Sequence, residues 1–291
     1  MSYPKKNMYT TGEKNAIVGG TLYLVATPIG NLADLSERAL KVLSEVDFVA
    51  AEDTRNSGLL LSRFGISKPL ISYFEHNKRE RGGIIADRLE KGESCALITD
   101  AGTPAISDPG EDIVRLCAER GIPVTSIPGA CAAITALTLS GLATGRFTFE
   151  GFLSGNKTDR RERFAELAEE RRTMIFYEAP HHLRQTLADF LTHFGDRKIT
   201  LCRELTKLNE EVFRTTVSQA IEEYKTRDPR GEYVLVVEGF TALSGVQDYP
   251  EDIAEHVAAF EAEGMSRMEA IKACAKKRGV PKSVVYDAVN K

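Results

Sequence analysis

The sequence predicts an α/β protein of two domains followed by a small helical module, and three observations carry that reading. Short β-rich runs alternate with helical ones through the first half of the chain. A second set of strand-like runs follows the glycine-rich stretch Gly141-Leu-Ala-Thr-Gly145. Beyond Ile253 the apolar spacing is helical throughout. Strands alternating with helices imply a mainly parallel sheet covered on both faces.

Residues 1–20 read as a mobile leader, and the first domain is expected over 21–143. TLYLVA (21–26), DFVAAE (47–52), PLISYF (69–74), CALIT (95–99) and VTSIP (124–128) are its strands. Between the first two, Leu35, Ala39, Leu40, Leu43 and Val46 share one helical face, with Asp34 and Glu37 spaced as a capping box. Asp108, Pro109 and Glu111 mark another helix start, and Gly121 its stop. The second domain is expected over 144–243, with strands TMIFYE (173–178), KITLCRE (198–204), EVFRTTV (211–217) and EYVLVVEG (232–239). A helix over His181–Phe194 closes at Gly195. Three of these strands follow one another without long crossovers, so some antiparallel pairing is expected.

TALSGVQDYPED (241–252) reads as a linker to the helical module, 250–291. There Ser266 and Glu269 form a capping box, Gly279 is a stop and Pro281-Lys-Ser283 a fresh start. Two short helices across a tight turn resemble a helix-turn-helix arrangement. Residues 265–291 hold seven Lys/Arg against Glu269 and Asp287, which suits either packing on the body or contact with RNA.

An apolar content of 42% with 27% charged residues is ordinary for a globular protein. No apolar run reaches the ~18 residues a membrane helix needs, and the first residues carry no apolar signal-peptide core. Cys95, Cys117, Cys131, Cys202 and Cys274 are scattered and odd in number, which points to reduced thiols in a cytoplasmic protein. A net charge of −4 makes any nucleic-acid contact local rather than a general basic coating.

Three glycine- or proline-rich loops close strands of the first domain: TPIGNL (27–32), TDAGTPAISDPG (99–110) and IPGACAAI (127–134). Ligands of open α/β sheets bind at that edge. A helix starting at Gly129 would offer free N–H groups to a carboxylate or phosphate. One such loop alone suits a structural turn; three together point to a site. The dinucleotide fingerprint, the P-loop and the nucleophile elbow are all missing. The five histidines lack metal spacing, His181 and His182 being adjacent and therefore facing apart on a helix, so no metal is expected. AAEDTRNSG (50–58) sets Glu52, Asp53 and Arg55 after the second strand, either as a surface ion pair or addressing a cleft.

TPIGNLADLSERAL, AAEDTR, GLLL, TDAGTPAISDPG, PGACAAITAL, FEGFL, IFYEAPHHL, CRELTK and GEYVLVVEG occur in this order. Together they resemble the ribosomal RNA small subunit methyltransferase I family, a branch of the tetrapyrrole methylase superfamily, from about Gly20 to Phe240. The resemblance implies a tetrapyrrole-methylase-like fold, a homodimer, and S-adenosylmethionine held in a cleft between the two domains. It implies methyl transfer to the ribose 2′-oxygen of a cytidine in the decoding region of 16S rRNA, within the small ribosomal subunit. By position, Asp100 and Thr103 would line the cofactor's methionine end, with Cys131 and Ala132 beside them and Pro128 and Gly129 in the same loop. Gly102 would permit close backbone approach. Tyr177 and Leu205 would border the adenosine, and Pro28 and Gly30 would floor the substrate side. Two stretches depart from the branch's pattern: NKTDRR (156–161), and His182 where arginine commonly follows His181.

A ribose hydroxyl is a poor nucleophile at neutral pH and benefits from a base. Asp53, Glu52 and Asp100 are candidates, with Arg55 and Lys207 placed to hold phosphate or steady a developing alkoxide; structural ion pairs are the alternative for each. Lys78, Arg79, Arg81 and the tail's Lys272, Lys276, Lys277, Arg278 and Lys282 are candidate RNA contacts. A methylase of the same fold acting on a porphyrinoid, or a non-catalytic RNA-binding protein, would fit less of this pattern, since the cofactor loop is intact and its edge charged.

Overall fold

The computed structural model describes residues 16–241, 250, 252–278 and 280–289. The expected leader through residue 15, most of the expected linker and Gly279 lie outside the described residues. Two compact units result: Met1–Leu139 with Cys202–Val212, and Ser140–Leu201 with Phe213–Lys291.

The first unit is built on β1 (Leu22–Val25), β2 (Phe48–Ala51), β3 (Leu70–Ser72), β4 (Cys95–Ile98) and β5 (Val124–Ile127), in the order β3-β2-β4-β1-β5. Each neighbouring pair is parallel. Period-2 alternation sends Leu22, Leu24, Phe48, Ala50 and Leu97 to one face, where they pack with Ile85, Leu89, Ile113 and Cys117. Tyr23, Val25, Val49, Ala51 and Ile98 go to the other, against Ala39, Val42, Leu43 and Leu61. Both faces are therefore covered, by α1 (Glu37–Glu45), α2 (Thr54–Arg63), α3 (Lys78–Glu90) and α4 (Gly110–Glu119); α5 (Ala132–Ser140) follows β5.

Two helix starts differ from expectation. Ser36, not Asp34, caps α1, its Oγ accepting the Ala39 N–H at 3.1 Å. Asp34 is already committed to a single 3-10 turn, Leu32–Asp34, so the extended residue a cap requires comes two positions later. In α4 the cap position falls on Pro109, without a side-chain bond, while Asp108 one residue earlier accepts the Gly110 N–H at 2.7 Å.

The second unit's sheet contains β6 (Phe147–Phe152), β7 (Thr173–Glu178), β8 (Lys198–Arg203), β9 (Glu211–Thr216) and β10 (Tyr233–Val237), ordered β6-β7-β10-β8-β9. β10 runs antiparallel to β7, although α7, β8, β9 and α8 lie between them in the chain, whereas β6 pairs parallel with β7. β6 went unrecognised as a strand because its register shifts between Phe149 and Gly151, which breaks the alternation. α6 (Lys157–Leu167), α7 (Leu183–Phe194) and α8 (Val217–Thr226) complete the α/β part, whose core includes Phe164, Phe176, Phe190 and Phe194. His181 and His182 stand in the turn before α7 rather than on it, with ring centroids 4.2 Å apart, so they meet instead of facing apart.

The tail holds α9 (Ile253–Ala262), α10 (Arg267–Arg278) and α11 (Lys282–Val289) around Val257, Ile271, Cys274 and Val285. The Glu269 carboxylate accepts from the Ser266 N–H at 3.1 Å and hydroxyl at 2.6 Å, which forms the glutamate half of the expected box. Among the described residues no helix is long and apolar enough to cross a membrane.

The capping assignment gives a direct test. Ser36→Ala should cost ~1 kcal/mol in urea unfolding, whereas Asp34→Ala should stay within about 0.5 kcal/mol.

Candidate active site at the carboxyl edge of the first sheet

The three glycine loops leave three neighbouring strands, β4, β1 and β5, and the Glu52-Asp53-Thr54-Arg55 segment leaves β2, the next strand along. The loops are bonded to one another. Thr27 and Gly102 exchange backbone hydrogen bonds, at 2.9 and 3.1 Å, as an isolated antiparallel bridge. Gly102 sits at φ +88°, which an L side chain rarely adopts. The Thr27 hydroxyl donates to the Thr99 carbonyl at 3.1 Å, and Thr103 Oγ1 to the Ala130 carbonyl at 2.9 Å. A Cβ at Gly129 would lie 2.7 Å from the Ala26 Cβ, so only glycine lets the third loop pass this close to the first.

α5 does not begin at Gly129, as expected, but at Ala132, and Thr135 donates its N–H to the Cys131 carbonyl at 3.0 Å. The Ala130 carbonyl accepts from Thr103 instead, so tying the loops together defers the helix by three residues. Cys131 is half-buried, with a free thiol.

Asp108 organises the remainder of the long loop. Its carboxylate accepts N–H groups from Ala105 at 3.0 Å, Ile106 at 3.1 Å and Gly110 at 2.7 Å. These bonds hold Ala105 and Ser107 at φ +68° and +63°, a backbone region that costs a non-glycine residue energy. The buried Tyr73 hydroxyl donates to the Pro109 carbonyl at 3.0 Å, and burial pushes its pKa up.

The two adjacent carboxylates, Glu52 and Asp53, have opposite environments. Asp53 caps α2, Oδ1 accepting the Arg55 N–H at 2.8 Å, and Oδ2 receives the Arg55 guanidinium at 3.0 Å. These bonds hold Asp53 below the usual carboxylate range. Glu52 is half-buried, and burial, followed by the charges of Asp100 and Asp108, pushes its pKa up, partly offset by the Asp100 N–H. Asp100 lines a cavity of about 200 Å³ with Pro28, Gly30, Asn56, Ser57 and Thr99. Asn56 and Ser57 had no signal in the sequence beyond following the acidic motif.

Leu205 and Lys207 come to the same loops. A Cβ on Gly30 would meet Lys207 Cγ at 2.5 Å, Thr206 Oγ1 at 2.7 Å and the Leu205 carbonyl at 2.9 Å. Glu204 and Thr206 take φ of +52° and +65°, with no glycine to announce the turn. Thr206, which sequence reasoning passed over, has a buried hydroxyl without a hydrogen-bond partner among the described residues. Lys207 pairs with Glu204 at 2.9 Å, so it and Arg55 each already serve a local carboxylate. Tyr177 belongs to the second unit, where it packs edge-on against Phe149 and Phe152 at 5.0 and 5.5 Å. Among the described residues no cluster of His, Cys, Asp and Glu could hold a metal ion.

The profile of the Tetrapyrrole (Corrin/Porphyrin) Methylases matches residues 21–221. Ribosomal RNA small subunit methyltransferase I of Synechocystis sp. is 45% identical over 268 residues, which is 92% of this chain and 96% of that protein. The chain belongs to the tetrapyrrole methylase family. Within it, the protein of the same name from Haemophilus influenzae is 50% identical over 224 residues, 76% of this chain and 79% of its own length. Solved structures share the methylase fold at lower identity. A diphthine synthase superposes with TM-score 0.59 at 16% identity, covering 76% of this chain and 90% of its own. A uroporphyrin-III-C-methyltransferase from Thermus thermophilus gives 0.55 at 20%, covering 75% and 94%. The sequence resemblance is thus established at the level of family, and the protein is a methyltransferase.

Gly30→Ala tests how closely the methylase's loops are seated. Overpacking against the Leu205 carbonyl should lower stability by about 1–3 kcal/mol in thermal unfolding. Adding Lys207→Ala should recover only part of that loss, because the backbone contact remains.

Proposed function

We propose that this methyltransferase transfers a methyl group from S-adenosylmethionine to the ribose 2′-oxygen of a cytidine in the decoding region of 16S rRNA, acting as a homodimer on the small ribosomal subunit. The RNA substrate is carried by relatives named ribosomal RNA small subunit methyltransferase I that match along nine-tenths of the chain. The hydroxyl acceptor is supported by one observation above all: the raised pKa of Glu52 beside the cavity-lining Asp100.

When bound, S-adenosylmethionine supplies an electrophilic methyl carbon on a positively charged sulfur. The residues present fit such a group. Gly102, at φ +88°, and Gly129, where a Cβ would meet Ala26, let the loops' backbone draw close together, and Asp100 offers negative charge to a sulfonium or ammonium. In this reading Thr103, Pro128, Cys131 and Ala132 surround the methionine end, while Leu205 borders the adenosine. Pro28 and Gly30 floor the acceptor side, at the cavity they line.

Glu52 is the base in this account. It accepts the 2′-hydroxyl proton as the oxygen–carbon bond forms and the carbon–sulfur bond breaks, leaving a neutral thioether. Asp53, held ionised by Arg55 and occupied as a cap, is a positioning residue. A base with a raised pKa is the stronger proton acceptor, provided it is ionised at the working pH.

Glu52→Gln should lower kcat by about 10²–10⁴ with S-adenosylmethionine affinity kept. Asp53→Asn should change kcat little, since asparagine caps as well as aspartate. The pH–rate profile of the native enzyme should fall on acidification at a pH above the ordinary carboxylate value, because protonated Glu52 cannot accept a proton. The same shift has a stability sign. Folding favours the protonated form, so stability falls as pH rises from the unfolded pKa through the raised folded one. Glu52→Gln should therefore be at least as stable as the native protein at neutral pH, and an equal loss of stability and turnover would overturn the base role. The function itself is tested by transferring labelled methyl to small subunits lacking the modification and identifying the nucleoside. Label in 2′-O-methylcytidine or a derivative supports the proposal, and label elsewhere or none contradicts it.

A further inference from the structure

The second unit holds its own cavity, of about 470 Å³, within the range of nucleotide-sized ligand sites. It lies among α6, α7 and the end of β7, and both departures from the family pattern, NKTDRR and His182, contribute to its lining. Its floor is a closed network. Arg160 donates to Asp189 at 2.7 Å and to Thr186 at 2.8 Å, Thr186 donates to the buried Glu178, and Glu178 accepts the Ala179 N–H at 2.8 Å. Both carboxylates are thereby engaged from within the unit.

The rim is different. Lys157 and Arg161, four residues apart on α6 and so on one face, both line the cavity and are exposed. Neither side chain makes an ion pair or hydrogen bond among the described residues. Two cations left unneutralised beside an internally satisfied floor favour an anion. His193 adds a flat surface: it stacks on Phe164 at 4.8 Å with an interplanar angle of 4°, and is itself exposed. An imidazole backed on one side by a buried phenyl ring offers its outer face for base stacking. Some basic residues expected to meet RNA are spent elsewhere. Lys78 pairs with Glu75 and Asp112, and Arg278 donates to His256 at 2.9 Å and to the Asp252 carbonyl at 2.7 Å.

We propose that this cavity is an RNA-binding subsite, taking one nucleotide of a single-stranded segment with its phosphate on Lys157 and Arg161 and its base against His193. The proposal rests on the RNA substrate proposed above but names a different part of the molecule.

The test uses the full chain and a short single-stranded RNA, with affinity read by fluorescence anisotropy over a salt series. The double variants Lys157→Gln/Arg161→Gln and Lys157→Glu/Arg161→Glu should each flatten the log–log salt slope by about 0.7 relative to native, the share of one single-strand phosphate. His193→Ala should weaken binding roughly five-fold or more with the slope unchanged. Thermal midpoints and S-adenosylmethionine binding should stay native in all three, since none of these side chains anchors the core. An unchanged slope in both double variants, or native protein that does not bind RNA, overturns the subsite. Methyl transfer to small subunits, measured in parallel, separates the two ideas. Transfer with unchanged slopes sinks only the subsite, whereas altered slopes without transfer sink only the proposed reaction.

Discussion

The pair of backbone hydrogen bonds between Thr27 and Gly102 holds the candidate site together. A parallel sheet ends in loops that have no reason of their own to associate, because the ladder stops at the last strand residue. Here the bridge carries β-type pairing past the ends of β1 and β4, and Thr103 extends the tie to the loop after β5. Each link requires particular residues. Gly102 must take a positive φ, Gly129 must lack a Cβ, and Thr27 and Thr103 must supply hydroxyls. Three loops become one surface whose backbone can approach a small ligand closely.

Charge is arranged on that surface by the same economy of local bonds. Asp108 spends its carboxylate on three backbone N–H groups and so keeps two non-glycine residues in left-handed geometry. Asp53 spends its own on α2 and Arg55. What remains is Glu52 with Asp100: one carboxyl whose burial pushes its pKa up, the other lining the cavity. Neighbouring residues thus acquire opposite acidities, Asp53 lowered and Glu52 raised, because one meets a guanidinium and the other meets burial and like charge. Separation of this kind is what acid–base chemistry at neutral pH needs.

Much of the fold was legible because the first sheet is buried on both faces, which leaves near-continuous apolar runs such as TLYLVA and CALIT in the sequence. The strand ends, and hence the loops, followed from their glycines and prolines. Less legible were features set by contacts distant in sequence. Ser36 displaced Asp34 as a cap because a 3-10 turn intervened, and α5 began late because Ala130 faces Thr103. β6 was hidden by its register shift, and the turn at Glu204 and Thr206 adopts positive φ without glycine. Glu52 and Asp53 could be nominated together from the motif. Only burial and partners told them apart.

The central claim is that the three loops of the first unit act as a single S-adenosylmethionine-binding surface. Hydrogen exchange of the native protein with and without saturating S-adenosylmethionine tests it most directly. The account predicts slowed exchange in residues 27–32, 99–110 and 127–134 together, with α9 to α11 unchanged. Slowing confined to other segments, or in only one of the three loops, would contradict it.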